Sequence, residues 1–193
     1  LFPDCNEREV TDFNSALLSY IRSHPTLVWE RSGKATRGGW QTEDLLNDDS
    51  PVIAKFHAEM LRRLHVILCE SEEVEERKHT DEPSWKLIAW GVALRGGGYQ
   101  EPHVHQAGIL SGVYYVQIPK MWGAGNAGCL RFPRRLPWLP REGDCEAHDP
   151  YLIQPIEGSL VIFPSYFWHE TVPFESDGER VSIAFDLLPL EED

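Results

Sequence analysis

The sequence predicts a mainly β fold with helices gathered at its N-terminal end. Two observations carry this reading. Up to about residue 68 apolar residues recur every three to four positions, and from residue 84 onward the pattern turns into short runs rich in aromatic and β-branched residues, broken by Gly and Pro. Helices followed by strands argue that the helices pack on one outer face of the β unit, which is a barrel or a sandwich. The chain has 193 residues, enough for one domain that buries roughly 70% of the surface its unfolded form exposes. We therefore read residues 1–193 as a single domain, with 1–83 as a helical support region and 84–188 as the β core.

Taken in order, Val10, Phe13, Leu17 and Tyr20 or Ile21 form the first helical stripe, which His24-Pro25 ends. A short β-like run at residues 26–29 leads into a turn through Gly33, Gly38 and Gly39. Ser50 then caps a second helix with Pro51 at its first position, and Val52, Ile53, Phe56, Met60, Leu64, Ile67 and Leu68 give its buried stripe. Residues 70–81 are a charged run that fades into solvated loop. Seven strands follow, at residues 85–94, 110–118, 128–132, 151–156, 159–163, 169–174 and 180–187. Residues 120–150, with Pro133, Pro137 and Pro140 and with Arg131, Arg134, Arg135 and Arg141, are too long for a hairpin and form a substrate loop or a packed excursion. The sequence has no internal repeat.

Composition excludes several functions. A formal net charge of -13 repels a nucleic-acid backbone and an anionic membrane surface. No stretch approaches the roughly 18 apolar residues of a membrane span, and the N-terminus lacks a secretory pattern. Cys5, Cys69, Cys129 and Cys145 are scattered without a CxxC pair, so neither a zinc knuckle nor a disulfide framework is expected, and the setting is cytoplasmic and reducing. The first residue is Leu rather than Met, consistent with upstream sequence having been cut away.

The most informative pattern is His103-x-His105, followed much later by His169 and then by Arg180-x-Ser182. Alternate side chains of an extended segment project from one face, so His103 and His105 can offer two imidazoles to one metal while a later strand supplies the third. A closed structural zinc site needs four protein ligands. Three ligands with open positions suit a metal that binds and activates small molecules. Gly96, Gly97 and Gly98 before the pair let the backbone turn sharply. In the strand after it, Ser111, Val113 and Tyr115 share one face and could line the same cavity. Arg180 and Ser182 also share a face, and an arginine aimed into a largely apolar barrel demands an anion. That anion is a ligand carboxylate or an internal partner, Asp186 or Glu179. His24, His57, His65, His79 and His148 read as surface or satisfied-core residues.

The ordered set of His-x-His, Ser-Gly-Val-Tyr-Tyr at 111–115, Phe-Pro-Ser at 163–165, a distal His and Arg-x-Ser resembles a branch of the iron(II)- and 2-oxoglutarate-dependent oxygenases, over roughly residues 84–188. The resemblance implies a double-stranded β-helix, or jelly roll, flanked by helices on one face, with Fe(II), 2-oxoglutarate and O2 as cofactors. It also implies hydroxylation of a substrate C–H bond, coupled to conversion of 2-oxoglutarate to succinate. His103 and His169 match the family's two histidine ligands, and Arg180 the arginine that pairs the distal carboxylate of 2-oxoglutarate. Ser182 matches the hydroxyl residue beside that arginine, Tyr115 a strand position that contacts the cosubstrate, and Ser111 lies on the same face. His105 is the departure, because most of the superfamily has Asp or Glu there. A neutral imidazole leaves the iron site one charge more positive, which favours dianionic 2-oxoglutarate and weakens metal retention. Glu101, two residues before His103, is the alternative third ligand; spacing and branch pattern favour His105.

Two rivals belong to other classes. Gly97, the His-x-His pair, Gly158, Pro164 and His169 fall at cupin spacing, and three-histidine cupin sites are common; against this, the glutamate expected after the pair is missing and Arg180 with Ser182 has no cupin role. A non-catalytic barrel that binds a peptide or neighbouring domain is the other rival, and it predicts no 2-oxoglutarate binding. The substrate, small molecule or peptide, and the oligomeric state are not written in the sequence.

Overall fold

The computed structural model describes residues 6–70, 85–123, 125–133 and 149–190. Residues 71–81 of the charged run, most of the 120–150 excursion, His79 and His148 lie outside the described residues.

Helix α1 (Glu7–Ser23) starts at Asn6, whose side chain accepts from the Glu9 N–H at 3.0 Å while the Glu9 carboxylate accepts from the Asn6 N–H at 2.9 Å. This reciprocal box satisfies two donors that a helix start leaves without partners. The helix ends at His24, before Pro25. Helix α2 (Pro51–Glu70) begins on Pro51, as expected. Ile53, Phe56, Met60 and Leu64 are its buried residues, packed in one core with Phe13, Leu17 and Ile21 of α1.

Between the helices the chain departs from a purely helical support region. β1 (Val28–Trp29) and β2 (Thr36–Gln41) form a hairpin, and β2 pairs antiparallel with β3 (Trp85–His103). Gly38 and Gly39, read as turn residues, sit inside β2 at a register shift. Gly38 has φ +64°, and a Cβ on Gly39 would stand 2.5 Å from the Ala93 carbonyl oxygen, so these glycines serve a bulge and a close backbone approach.

Each of the seven segments predicted after residue 84 contains a strand, with shifted ends: β3, β4 (Leu110–Gln117), β5 (Leu130–Phe132), β6 (Tyr151–Ile153), β7 (Leu160–Pro164), β8 (His169–Thr171) and β9 (Arg180–Pro189). The order β6-β5-β8-β3-β9-β4-β7, with β2 and then β1 added on β3, curls into a double-stranded β-helix. The principal difference is β3, which continues through the glycine run to His103. Residues 85–94 pair with β9, whereas Gln100 and His103 pair with β8. Gly97, at φ +81°, lets the strand bend from one partner to the next, and a Cβ on Gly96 would lie 2.3 Å from the Ser176 carbonyl oxygen. One continuous strand thus carries His103 to the mouth of the barrel.

Strand parity divides the two sides. On β9, Val181, Ile183, Phe185 and Leu187 join the core under the helices. Each such fully buried side chain contributes about 1.5–3 kcal/mol. The alternate residues Arg180, Ser182, Ala184 and Asp186 face inward, opposite Tyr115, Val113 and Ser111 of β4 and Leu94, Val92, Trp90 and Ile88 of β3 in the Cα register. Tyr114, on the outer side of β4, donates its hydroxyl to Asn14 of α1 at 2.6 Å and so ties the helix to the sheet.

Candidate metal centre

The end of β3 and the start of β8 place His103 and His169 directly opposite one another, with ring centroids 4.2 Å apart. His105 follows two residues on, its ring 5.0 Å from His103 and 5.2 Å from His169. Its backbone N–H donates to the Ser165 carbonyl at 3.0 Å, which holds the loop beside the β7–β8 corner. One ligand atom from each of the three rings lies within 4.8 Å of the others.

Each Nδ1 is already engaged: His103 with the Glu101 carbonyl at 2.7 Å, His169 with the Phe167 carbonyl at 2.8 Å, and His105 with Asp186 Oδ2 at 2.7 Å. Carbonyl and carboxylate oxygens only accept, so Nδ1–H donates and Nε2 is left to ligate. Burial, reinforced by repulsion from its neighbouring rings, pushes His169 down to about 3, and burial also lowers His103. At neutral pH both are uncharged, the form a metal requires. Three imidazole nitrogens suit iron, zinc, copper or nickel.

Glu101 takes another place. The period-of-two argument puts its side chain with His103, but the pairing shifts between Gln100 and His103, so an irregularity in β3 breaks that phase. Gln100, instead, lines the pocket with His103, and the Glu101 carboxylate accepts from Arg37 Nη2 at 2.6 Å. Its contribution to the centre is the backbone carbonyl that holds His103.

The three histidines open on a pocket whose wall also holds Trp90, Ser111, Thr171, Arg180 and Ser182. Arg180 is 2% exposed, and its guanidinium carbon stands 5.0 Å over the Tyr115 ring. Both internal partners considered from the sequence are committed elsewhere, Glu179 to Arg22 at 2.9 Å and Asp186 to His105. Arg180 Nε and the Tyr115 hydroxyl oxygen are buried without hydrogen-bond partners among the described residues. Burial pushes the guanidinium down, and the groups opposing that shift are Tyr115 and Cys129, both themselves pushed up by burial and neither an anion at neutral pH. A buried cation in a pocket wall, with no protein anion beside it among the described residues, fits a carboxylate ligand. The donor set, and a buried guanidinium whose Nε is unpaired among the described residues, together fit a metal and an anionic cosubstrate sharing one cavity.

Ser111 reaches the pocket too, but its hydroxyl donates to Asp186 Oδ1 at 2.6 Å and meets Ser165 Oγ at 2.8 Å. Asp186 and Ser165 were not assigned to the site from the sequence, nor was Trp90, whose ring stacks on His105 at 5.8 Å and 17°. The available signal was parity: Asp186 shares the inward face of Arg180 and Ser182 on the last strand. Outside the pocket, Phe132 stands 6.2 Å from His169, 6.2 Å from Phe167 and 6.4 Å from Tyr151, and Tyr166 packs on Phe167 at 5.1 Å. Tyr151 and Tyr166 are 63% and 71% exposed, so aromatic surface leads outward from the histidines. Of the remaining histidines, His24 is a satisfied core residue bonded to Thr26 and Asp48, His57 is half-buried and His65 exposed.

Residues 88–186, just over half of the chain, match the family described as "Putative 2OG-Fe(II) oxygenase". The chain belongs to this family of iron(II)- and 2-oxoglutarate-dependent oxygenases, which sets the cupin alternative aside. Fe(II), 2-oxoglutarate and O2 are the cofactors of that class. Among solved structures, a prolyl-4-hydroxylase from Pseudomonas putida is similar with a TM-score of 0.63 at 17% identity, covering 94% of this chain and 88% of that one. A Trichoplax adhaerens prolyl hydroxylase, in complex with a hypoxia inducible factor oxygen degradation domain peptide fragment, gives 0.62 at 15% identity over 94% and 79%. HygX from Streptomyces hygroscopicus, with nickel and 2-oxoglutarate bound, gives 0.61 at 12% identity over 93% and 79%. At these identities the likeness is one of fold. Comparison with curated proteins finds no match.

Proposed function

We propose that this chain hydroxylates a C–H bond of a small-molecule or peptide substrate, with the metal held by Nε2 of His103, His105 and His169 and 2-oxoglutarate anchored by Arg180. The observation that carries the reading is the fully buried Arg180, without a protein anion among the described residues, in the same pocket as three converging imidazoles. Iron with 2-oxoglutarate and dioxygen supplies the oxidising power, as the class of enzyme requires. The chain's own residues bind and exclude. Arg180 offers a planar, permanently charged fork for a carboxylate, with Ser182 and Tyr115 beside it in the register. Trp90 and Phe163 wall the histidines from water, and Phe132, Phe167, Tyr166 and Tyr151 form the surface over which substrate approaches. Among the described residues no helix is long and apolar enough to cross a membrane. The cytoplasmic setting is part of the proposal and rests on the scattered cysteines, of which Cys129 is free and buried.

Succinate release from 2-oxoglutarate by the Fe(II)-loaded protein, compared with Arg180→Ala and His169→Ala, tests the assignment. Loss in both variants is expected. Equal release from all three proteins would remove these residues from the reaction. With a substrate in hand, label from isotopic dioxygen is expected in the hydroxylated product, and label from water alone would contradict hydroxylation.

A further inference from the structure

A three-imidazole centre lacks the carboxylate that makes the usual two-histidine site of non-haem iron enzymes one charge less positive. We infer that Asp186 supplies that missing negative charge at one remove, as a positioning residue acting on the metal through His105; the inference rests on His103, His105 and His169 being the ligands. Asp186 is 7% exposed, and both of its oxygens are committed: Oδ2 to His105 Nδ1 at 2.7 Å and Oδ1 to the Ser111 hydroxyl at 2.6 Å. Ser111 in turn meets Ser165 Oγ at 2.8 Å. Ser165 also fixes the histidine loop through the backbone, accepting from the His105 N–H at 3.0 Å and donating to the Ile109 carbonyl at 3.2 Å. Gly108 is required by the same corner, since a Cβ there would stand 2.4 Å from Ser165 Oγ.

A buried carboxylate with no Arg or Lys partner is costly unless a cation lies near. In this network the ring of His105, with a metal on its far nitrogen, is the compensating group. The carboxylate fixes which tautomer His105 adopts, holds the ring against Trp90, and makes Nε2 a stronger donor. A neutral ligand and a carboxylate behind it thereby do the work that a directly ligating Asp does elsewhere. Ser111 and Ser165 keep that carboxylate aimed.

The test is metal affinity, measured anaerobically by titration with Fe(II) and separately with Co(II), whose visible absorption reports ligand geometry. Asp186→Asn should weaken binding about 10- to 100-fold, the usual cost of losing such an outer partner, and change the Co(II) spectrum. Ser111→Ala, which keeps the charge, should show a smaller loss of the same sign. The decisive comparison is made in His105→Asp, where a carboxylate ligates directly. There Asp186→Asn should be neutral or improve affinity, because two adjacent carboxylates repel. Unchanged affinity in Asp186→Asn, or an equal loss in both backgrounds, would overturn the inference and reduce Asp186 to a structural role. Should Asp186→Asn alone fail to fold, the paired His105→Asp proteins and Ser111→Ala decide the matter. Failure of the unsubstituted chain to bind metal would instead overturn the triad itself, a distinguishable result.

Discussion

Arg180 divides the site's chemistry most cleanly, because it sits in the pocket wall without belonging to the metal donors. Losing a charged hydrogen-bonding partner costs about 1.5–3 kcal/mol, so Arg180→Ala should raise the 2-oxoglutarate requirement roughly 10- to 100-fold while metal affinity stays intact; calorimetry on the metal-loaded variant checks both. His169→Ala should abolish stoichiometric iron binding, and iron retained at one equivalent would sink the triad. Protonation gives a third expectation. Burial holds His169 near 3 against an ordinary 6.5, so between those values the unfolded chain binds more protons than the folded, metal-free one. That stability is therefore complete above about pH 6.5 and is lost as pH falls toward 3; His103, displaced in the same direction, adds to it. Melting of the metal-free protein should move to lower temperature from about pH 7 to pH 4, and a flat profile would contradict the burial argument. At this scale the convergence of the three histidines and the inward face of Arg180 were legible, because spacing and parity give both directly. Asp186 was read only as a possible partner for Arg180, since sequence gives faces but not which of two neighbours an inward carboxylate reaches. Glu101 was placed on the wrong face because an irregularity in the strand leaves no mark in a count of alternate residues.

Elements turn these residues into a site. β3 is bent at its glycines so that one strand pairs with β9 at one end and β8 at the other, bringing His103 against His169. Gly97→Ala places a side chain at φ +81° and Gly96→Ala drives one into the Ser176 carbonyl. Strain of about 1–2 kcal/mol is expected for Gly97→Ala, with a larger loss for Gly96→Ala; urea melts of both variants measure it, and equal stability to the parent would show that the bend does not depend on glycine. Helix packing predicts a different signature. Phe56 and Leu17 are fully buried away from the pocket, so Phe56→Ala or Leu17→Ala should cost about 2–5 kcal/mol with metal affinity unchanged in the folded fraction. The end of α1, the start of α2 and the strand positions were readable from periodicity, Pro and Gly. The β1–β2 hairpin was not, because Gly38 and Gly39 signal a turn as strongly as they signal a bulge within a strand.

For the molecule as a whole, the double-stranded β-helix supplies two differently populated faces. The outer one is sealed by α1 and α2, and the inner one is left for Arg180, Ser182, Asp186 and the histidines. This division lets a chain of net charge -13 keep the buried Arg180 guanidinium in the inner pocket wall, where among the described residues no protein acid meets it. The metal and 2-oxoglutarate are proposed to share one pocket. Anaerobic titration of the Fe(II)-loaded protein with 2-oxoglutarate, followed by the weak visible metal-to-ligand charge-transfer band that chelation produces, tests it most directly. A band that saturates at one equivalent, and is absent from Arg180→Ala with iron still bound at the same concentrations, is the predicted result. Stoichiometric iron with no band at any 2-oxoglutarate concentration would contradict it.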